Sequence, residues 1–187
     1  MYKAADLRKG LKIELEGEPH VVVNFEFSKP GKGQALYRCR LRNMITGNQF
    51  DRTYRSGDSF KPASLESREM SYLFNDGQFY TFMDQKTYEQ YQLTEEQLGA
   101  NAKLLTDNLE VEVLVFENKP IDVSLPNFVA LTVTQADPAA RGDTATGVTK
   151  PAVLETGYEL NVPGFIEEGD KIQIDTRTGE YVTRVKE

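Results

Sequence analysis

The residues best suited to chemistry are one lysine and three arginines near the start of the chain. Lys29-Pro30-Gly31-Lys32-Gly33-Gln34 has the composition of a tight tip. Pro30 presets φ, Gly31 accepts φ > 0, and Gly33 lets the backbone come close to whatever the loop meets. Lys32 is thereby expected to project alone. In the segment that follows, Ala35 to Arg42, alternation with a period of two puts Arg38, Arg40 and Arg42 on one strand face. Tyr37, Cys39 and Leu41 fall on the other. An exposed lysine on a strand with a basic outer stripe suits a phosphate-lined place, with an affinity that falls as salt rises. A basic stripe is equally well a solvated strand face, and loop lysines are common, so these residues alone name no function.

The inventory for catalysis is thin. His20 is the one histidine and sits in an apolar run, so it is read as structural. Cys39 is the one cysteine and alternates inward, as a core residue does. No Cys/His cluster has metal-ligand spacing. Gly31-Lys32-Gly33 is too short for a nucleotide-binding glycine loop. Glu95-Glu96 and Glu167-Glu168 read as a helix start and a solvated turn. The chain is expected not to be an enzyme and to need no cofactor or metal.

The elements that must position the tip are mostly short strands separated by turns, as in small β-barrels. Leu11–Leu15 and His20–Phe27 read as strands around Gly17-Glu18-Pro19. Gln49–Arg55 reads as another, and Phe60-Lys61-Pro62-Ala63 as a linker in which Pro62 ends any ladder. A second module opens near Leu65, with a hairpin at Asn75-Asp76-Gly77. Thr94-Glu95-Glu96-Gln97 is a capping box, and Leu98, Ala102 and Leu105 continue it at helical spacing. Val111, Val113 and Val115 alternate, and Asn118-Lys119-Pro120 turns into Ile121–Leu125. The third module alternates at Val129, Leu131 and Val133. Its Ala136–Thr149 loop reads as functional or merely mobile, and both readings stay open. Ile172 and Ile174 pair with Tyr181–Val185 across Thr176-Arg177-Thr178-Gly179. The expected boundaries are 1–64, 65–127 and 128–187.

Charge is distributed unevenly over these modules. The chain of 187 residues has a net charge of −7, yet residues 1–64 carry 12 Lys+Arg against 7 Asp+Glu. Residues 65–127 carry 4 against 12 and residues 128–187 carry 6 against 10. Five basic residues and no acidic one lie between Phe27 and Phe50. One nucleic-acid-facing module on an acidic body fits that asymmetry. A single cysteine allows no intrachain disulfide, which favours a reducing compartment. Residues 1–10 lack the apolar core of a signal peptide, and no run approaches the roughly 20 apolar residues of a membrane span. A cytoplasmic protein without membrane association is expected.

Lys29-Pro30-Gly31-Lys32-Gly33-Gln34-Ala35 resembles the tip of bacterial elongation factor P. The resemblance continues, in order, through Tyr72-Leu73-Phe74-Asn75-Asp76-Gly77, Pro126-Asn127-Phe128-Val129 and Arg141-Gly142-Asp143-Thr144. It closes with Lys150-Pro151-Ala152, Glu155-Thr156-Gly157 and Asp175-Thr176-Arg177-Thr178-Gly179-Glu180-Tyr181-Val182. It implies an all-β fold: an SH3-like (KOW-like) barrel, then two OB-type barrels in an L shape like tRNA, with one short helix in the second module. It also implies a translation factor that binds the ribosome beside peptidyl-tRNA and relieves stalling at consecutive prolines. The matching tip lysine is Lys32, commonly extended after translation. A β-lysyl group, another extension and no modification at all remain open, and a Lys32-modifying enzyme is an expected partner. Arg38, Arg40 and Arg42 would lie along tRNA backbone. Gly142, Asp143 and Thr144 match a loop that approaches the exit-site codon, and Tyr181 and Arg184 match residues near the small subunit and tRNA. On a regular strand those last two point to opposite faces, so a bulge or frayed end is needed for them to act together. A paralogue that binds RNA or ribosomes without rescuing stalls is the competing reading, and the intact tip argues against it. No stable oligomer is expected.

Overall fold

Apolar residues that recur every second position bury one face of each strand, and three sheets result. The computed structural model describes residues 1–138 and 148–186. The first sheet contains β1 (Tyr2–Lys3), β2 (Lys12–Leu15), β3 (Glu18–Ser28), β4 (Leu36–Asn43), β5 (Gln49–Arg55) and β6 (Ser59–Pro62). Their order across the sheet is β1-β6-β2-β3-β4-β5. Ile13, Val22, Cys39, Leu41 and Phe60 form its core with Ala4, Leu7 and Leu11. Tyr2, Phe25, Tyr37, Phe50 and Tyr54 pack around that core.

The expected linker at Phe60-Lys61-Pro62-Ala63 is instead mostly the strand β6, paired to both β1 and β2. Phe60 is buried in the core. Pro62 is tolerated because of where its missing N–H would point. The Ala63 N–H faces β2, donating to the Lys12 carbonyl at 3.4 Å. Alternation therefore turns position 62 toward the other flank, and β1 pairs only with Ser59 and Phe60. No ladder donor is lost.

The second sheet contains β7 (Glu66–Asn75), β8 (Phe79–Asp84), β9 (Gln90–Thr94), β10 (Glu110–Phe116) and β11 (Lys119–Ser124), in the order β11-β10-β7-β8-β9. The β7–β8 hairpin forms at Asn75-Asp76-Gly77 as expected: Asp76 Oδ1 accepts from the N–H groups of Gln78 and Phe79, and Gly77 has φ 92°. After β9 the capping box closes in both directions. Gln97 N–H donates to Thr94 Oγ1 at 3.2 Å and Thr94 N–H to Gln97 Oε1 at 2.9 Å. The helix it starts, α1 (Glu95–Leu98), is shorter than the apolar spacing suggests. Gly99 at φ 58° breaks it, and the chain continues as a 3-10 helix over Gly99–Leu104. Leu98, Ala102 and Leu105 are buried all the same. The turn expected at Asn118-Lys119-Pro120 sits one residue earlier, at Glu117 and Asn118, with φ 48° and 64°. Two positive φ values suit the twist of a two-residue hairpin, and Pro120 falls within the edge strand β11.

The third sheet contains β12 (Phe128–Ala136), β13 (Thr149–Leu154), β14 (Glu159–Pro163), β15 (Lys171–Asp175) and β16 (Glu180–Arg184), in the order β14-β13-β12-β15-β16. Its outermost strands, β14 and β16, approach each other. Tyr158 Oη links the turns beside them by donating to the Gly179 carbonyl at 2.7 Å. Val129, Leu131, Val133, Leu154, Ile172 and Ile174 fill the core, and Leu104 from the 3-10 helix joins it.

By packing, the described chain divides into two compact units: Met1–Glu66 with Leu114–Ile121, and Ser67–Val113 with Asp122–Glu187. No helix among the described residues is long and apolar enough to cross a membrane.

Two consequences for stability follow. Gly179 has φ 76°, and a Cβ there would collide with the Tyr158 hydroxyl. Gly179→Ala is expected to destabilise the protein by about 2 kcal/mol in urea melts. Adding Tyr158→Phe relieves the collision but not the φ penalty, so it restores only part of the loss. The second consequence concerns Asp84, which is buried. N–H groups of Lys86 and then Thr87 donate to its carboxylate and hold its pKa below the ordinary value, with Arg68 nearby adding less. A depressed native pKa stabilises above the unfolded value of about 3.9 and is lost as pH falls through the native one. Asp84→Asn is therefore expected to flatten the acid limb of a stability–pH curve below about pH 4.

Candidate nucleic-acid interface

The tip is carried by the longest strand pairing of the first sheet. β3 and β4 pair from His20↔Asn43 to Ser28↔Leu36, and the register shifts once, between Val22 and Asn24. That bulge has a definite effect. Without it, Phe25 and Phe27 would sit opposite Arg38 and Leu36, and Asn24 and Glu26 would turn to the inner side. With it, Phe25 pairs with Cys39 and Phe27 with Tyr37, while Asn24 and Glu26 join Arg40 and Arg38 outside. Phe25 stacks on Tyr37 with ring centroids 6.2 Å apart, and Phe27 meets the same ring at 5.1 Å. These aromatics stiffen the arm below the tip.

Lys29, Pro30, Gly31, Lys32, Gly33 and Gln34 are all exposed, with the turn at Gly31 and Lys32. Lys32 has no ion-pair partner among the described residues. The glycines serve differently than the sequence suggests. Neither Gly31 nor Gly33 adopts a positive φ. A Cβ on Gly31 would meet nothing within 4 Å, and one on Gly33 only Pro30 Cγ at 3.8 Å. Neither backbone conformation nor neighbouring atoms within the chain demand a glycine at either position.

Arg38, Arg40 and Arg42 are exposed on one face of β4, while Cys39 and Leu41 are buried on the other. The fold also brings acids beside this stripe that the linear sequence keeps out of view. Glu26 on β3 is in register with Arg38, and Asp51 on β5 with Arg40. Arg40 Nη1 lies 3.4 Å from Asp51 Oδ1, and its Nε donates to Gln49 Oε1 at 3.0 Å. The signal was the strand register, not the composition of the 27–50 segment.

His20 is buried, with Nδ1 3.0 Å from the Glu18 carbonyl and its ring edge-on to Phe50 at 5.5 Å. Those contacts are structural. Burial pushes the Cys39 thiol up to about 11. Among the described residues, no group of three or more His, Cys, Asp or Glu is placed to hold a metal ion.

Tyr181 and Arg184 do share a face. β16 shifts register against β15, so that Tyr181 pairs with Ile174 and Arg184 with Ile172. Ile172 and Ile174 both point into the core, and the extra residue of β16 turns Tyr181 and Arg184 to one side. Arg184 lies over the exposed ring of Phe165 at 5.7 Å and 3.9 Å from Asp170 Oδ2. Phe165 carried no sequence signal, since it reaches Arg184 only through barrel curvature. Gly142, Asp143 and Thr144 lie outside the described residues.

The comparisons with known proteins cover this whole arrangement. Three family descriptions match in order: "Elongation factor P (EF-P) KOW-like domain" at residues 3–60, "Elongation factor P (EF-P) OB domain" at 65–123 and "Elongation factor P, C-terminal" at 129–184. Elongation factor P of Syntrophus aciditrophicus is 61% identical over 186 residues, covering 100% of both chains. Elongation factor P of Desulfotalea psychrophila is 59% identical over 187 residues, and elongation factor P 2 of Geobacter sulfurreducens 60% over 186, each again covering 100% of both chains. The chain belongs to the elongation factor P family. Its all-β architecture is thus that of a KOW-like barrel with OB-type barrels. The solved structure of eukaryotic translation initiation factor 5A from Methanococcus jannaschii shares the fold, with a TM-score of 0.53, 22% identity, and coverage of 66% of this chain and 93% of that one.

The Cys39 environment makes a checkable statement about the arm's rigidity. A pKa near 11 and burial slow attack on a disulfide reagent at pH 8 by on the order of 100-fold relative to a free thiol. The labelling rate is expected to rise to the free-cysteine value only at denaturant concentrations that unfold the first sheet.

Proposed function

We propose that this chain is a translation elongation factor that binds the ribosome beside peptidyl-tRNA and speeds peptide-bond formation at consecutive prolines. The observation that carries the reading is Lys32, exposed at the summit of an aromatic-braced hairpin on a member of the elongation factor P family. Proline is slow because its ring restricts both the nascent chain and the attacking amine. A factor that holds the peptidyl-tRNA end in a reactive pose lowers the barrier by orientation, without acid–base chemistry. The tip supplies a long cationic arm on a stiff base, and its exposed position leaves Lys32 accessible to a modifying enzyme. A β-lysyl or other extension there would lengthen the arm.

On this reading Arg38, Arg40 and Arg42 meet tRNA phosphates, which position the factor without reading sequence. Tyr181 and Arg184, turned to one side by the β16 bulge, supply a second contact to RNA. Gly142, Asp143 and Thr144 would approach the exit-site codon.

The test is the rate of Pro-Pro-Pro synthesis on purified ribosomes, with protein from its native host so that any extension of Lys32 is present. Acceleration by the parent protein and its loss in Lys32→Ala are expected. The melting temperature should stay within about 1 °C, because an exposed side chain without partners contributes little to stability. A large drop in melting temperature would make Lys32 structural, and no acceleration by the parent would overturn the stall-rescue role.

A further inference from the structure

The outer face of β3, β4 and β5 holds a shallow groove of about 470 Å³ lined by Asn24, Glu26, Arg38, Arg40, Asp51 and Thr53, among others. The three arginines of the β4 stripe, of which Arg38 and Arg40 line this groove together with Arg52 of β5, are not equivalent. Arg42 stands between Val21 and Gln49, and Arg38 between Glu26 and Thr53. Arg40 alone is held by β5 through two groups, Asp51 and Gln49. The hold is loose by construction. The Arg40 and Asp51 side chains are 49% and 74% exposed, so water competes for both.

We propose that Asp51 is a specificity-determining residue that competes with RNA phosphate for Arg40. This inference rests on the reading of the stripe as an RNA contact and adds a function to its acidic neighbour. In the free protein Asp51 occupies the centre of the stripe, leaving Arg38 and Arg42 too few cations to retain a passing RNA. An RNA backbone laid along β4 engages the outer two arginines first and then displaces the carboxylate from Arg40. Weak capture of RNA in solution and firm seating at a site that presents the backbone in register follow from the same exchange. A strand with three unopposed arginines would hold a passing RNA a few-fold more tightly.

The experiment measures binding of a tRNA transcript to the full chain across a salt series, with Asp51→Asn, Arg40→Ala and the double variant. Asn keeps the size and one acceptor oxygen of Asp, and position 51 is exposed, so all variants should fold, which circular dichroism checks. Asp51→Asn is expected to tighten binding about 2- to 5-fold, the range an exposed ion pair is worth. The slope of log K against log salt should steepen by about 0.7–0.9 for the one phosphate gained. In the Arg40→Ala background the same substitution should gain clearly less, since only general relief of charge repulsion remains there. An equal gain in both backgrounds would mean a general charge effect and overturn the proposal. No gain from Asp51→Asn, with Arg40→Ala still weakening binding, would overturn the competitor role and leave the RNA contact standing. No effect of either substitution would remove both.

Discussion

The side-chain period of two, held by the β3–β4 ladder, governs where every charge and ring of the first sheet goes. A strand cannot slip by one residue without exchanging its two faces. The ladder from His20↔Asn43 to Ser28↔Leu36 therefore commits Cys39 and Leu41 to the core and Arg38, Arg40 and Arg42 to the surface together. The core residues and the basic stripe are one decision. Ile13, Val22, Leu41 and Phe60, all buried, hold the register through hydrophobic burial, and the arginines inherit their orientation from it. The tip then extends from a base whose direction is already determined.

Among the register shifts of the described strands, two bear on the candidate site. In β3 the apolar residues change parity, from His20 and Val22 to Phe25 and Phe27. The extra residue absorbs the change and keeps both phenylalanines beside Tyr37. In β16 the same device brings Tyr181 and Arg184 to one face. One inserted residue costs a ladder hydrogen bond at the barrel rim and gains a second aligned side chain. The geometry is cheap there because β16 ends its sheet.

Much of this was legible in the residues, and the exceptions have physical reasons. The hairpin at Asn75-Asp76-Gly77, the capping box at Thr94 and the Arg38-Arg40-Arg42 face depend on contacts within a few residues, and local sequence encodes those. Pro62 misled because a proline's tolerance depends on which flank of its strand is paired, and β1, some 60 residues away in sequence, decides that. The helix after Thr94 is short as expected, and Leu98, Ala102 and Leu105 keep their helical spacing because a 3-10 segment continues it once Gly99 intervenes. Around the site, Glu26 and Asp51 were missed as neighbours of the stripe because each lies on a different strand from it. Phe165 became a neighbour of Arg184 only when the sheet curled.

Those long-range neighbours change what the charge asymmetry means. Counted along the chain, the 27–50 segment is purely basic. Folded, its strand lies between carboxylates, and the unopposed cations are the two at the tip, Lys29 and Lys32, with Arg42 at the far end of the stripe. On the proposed reading of the stripe as an RNA contact, a chain with net charge −7 gains from this arrangement. Net negative charge weakens long-range attraction to RNA, so encounter with arbitrary RNA would be slow and short-lived. Affinity would then arise at short range, where several phosphates meet several arginines at once and the competing carboxylates are displaced. A rigid strand is well suited to such a contact, because arginines at a fixed spacing reward a backbone that is already ordered more than one that must be ordered on binding.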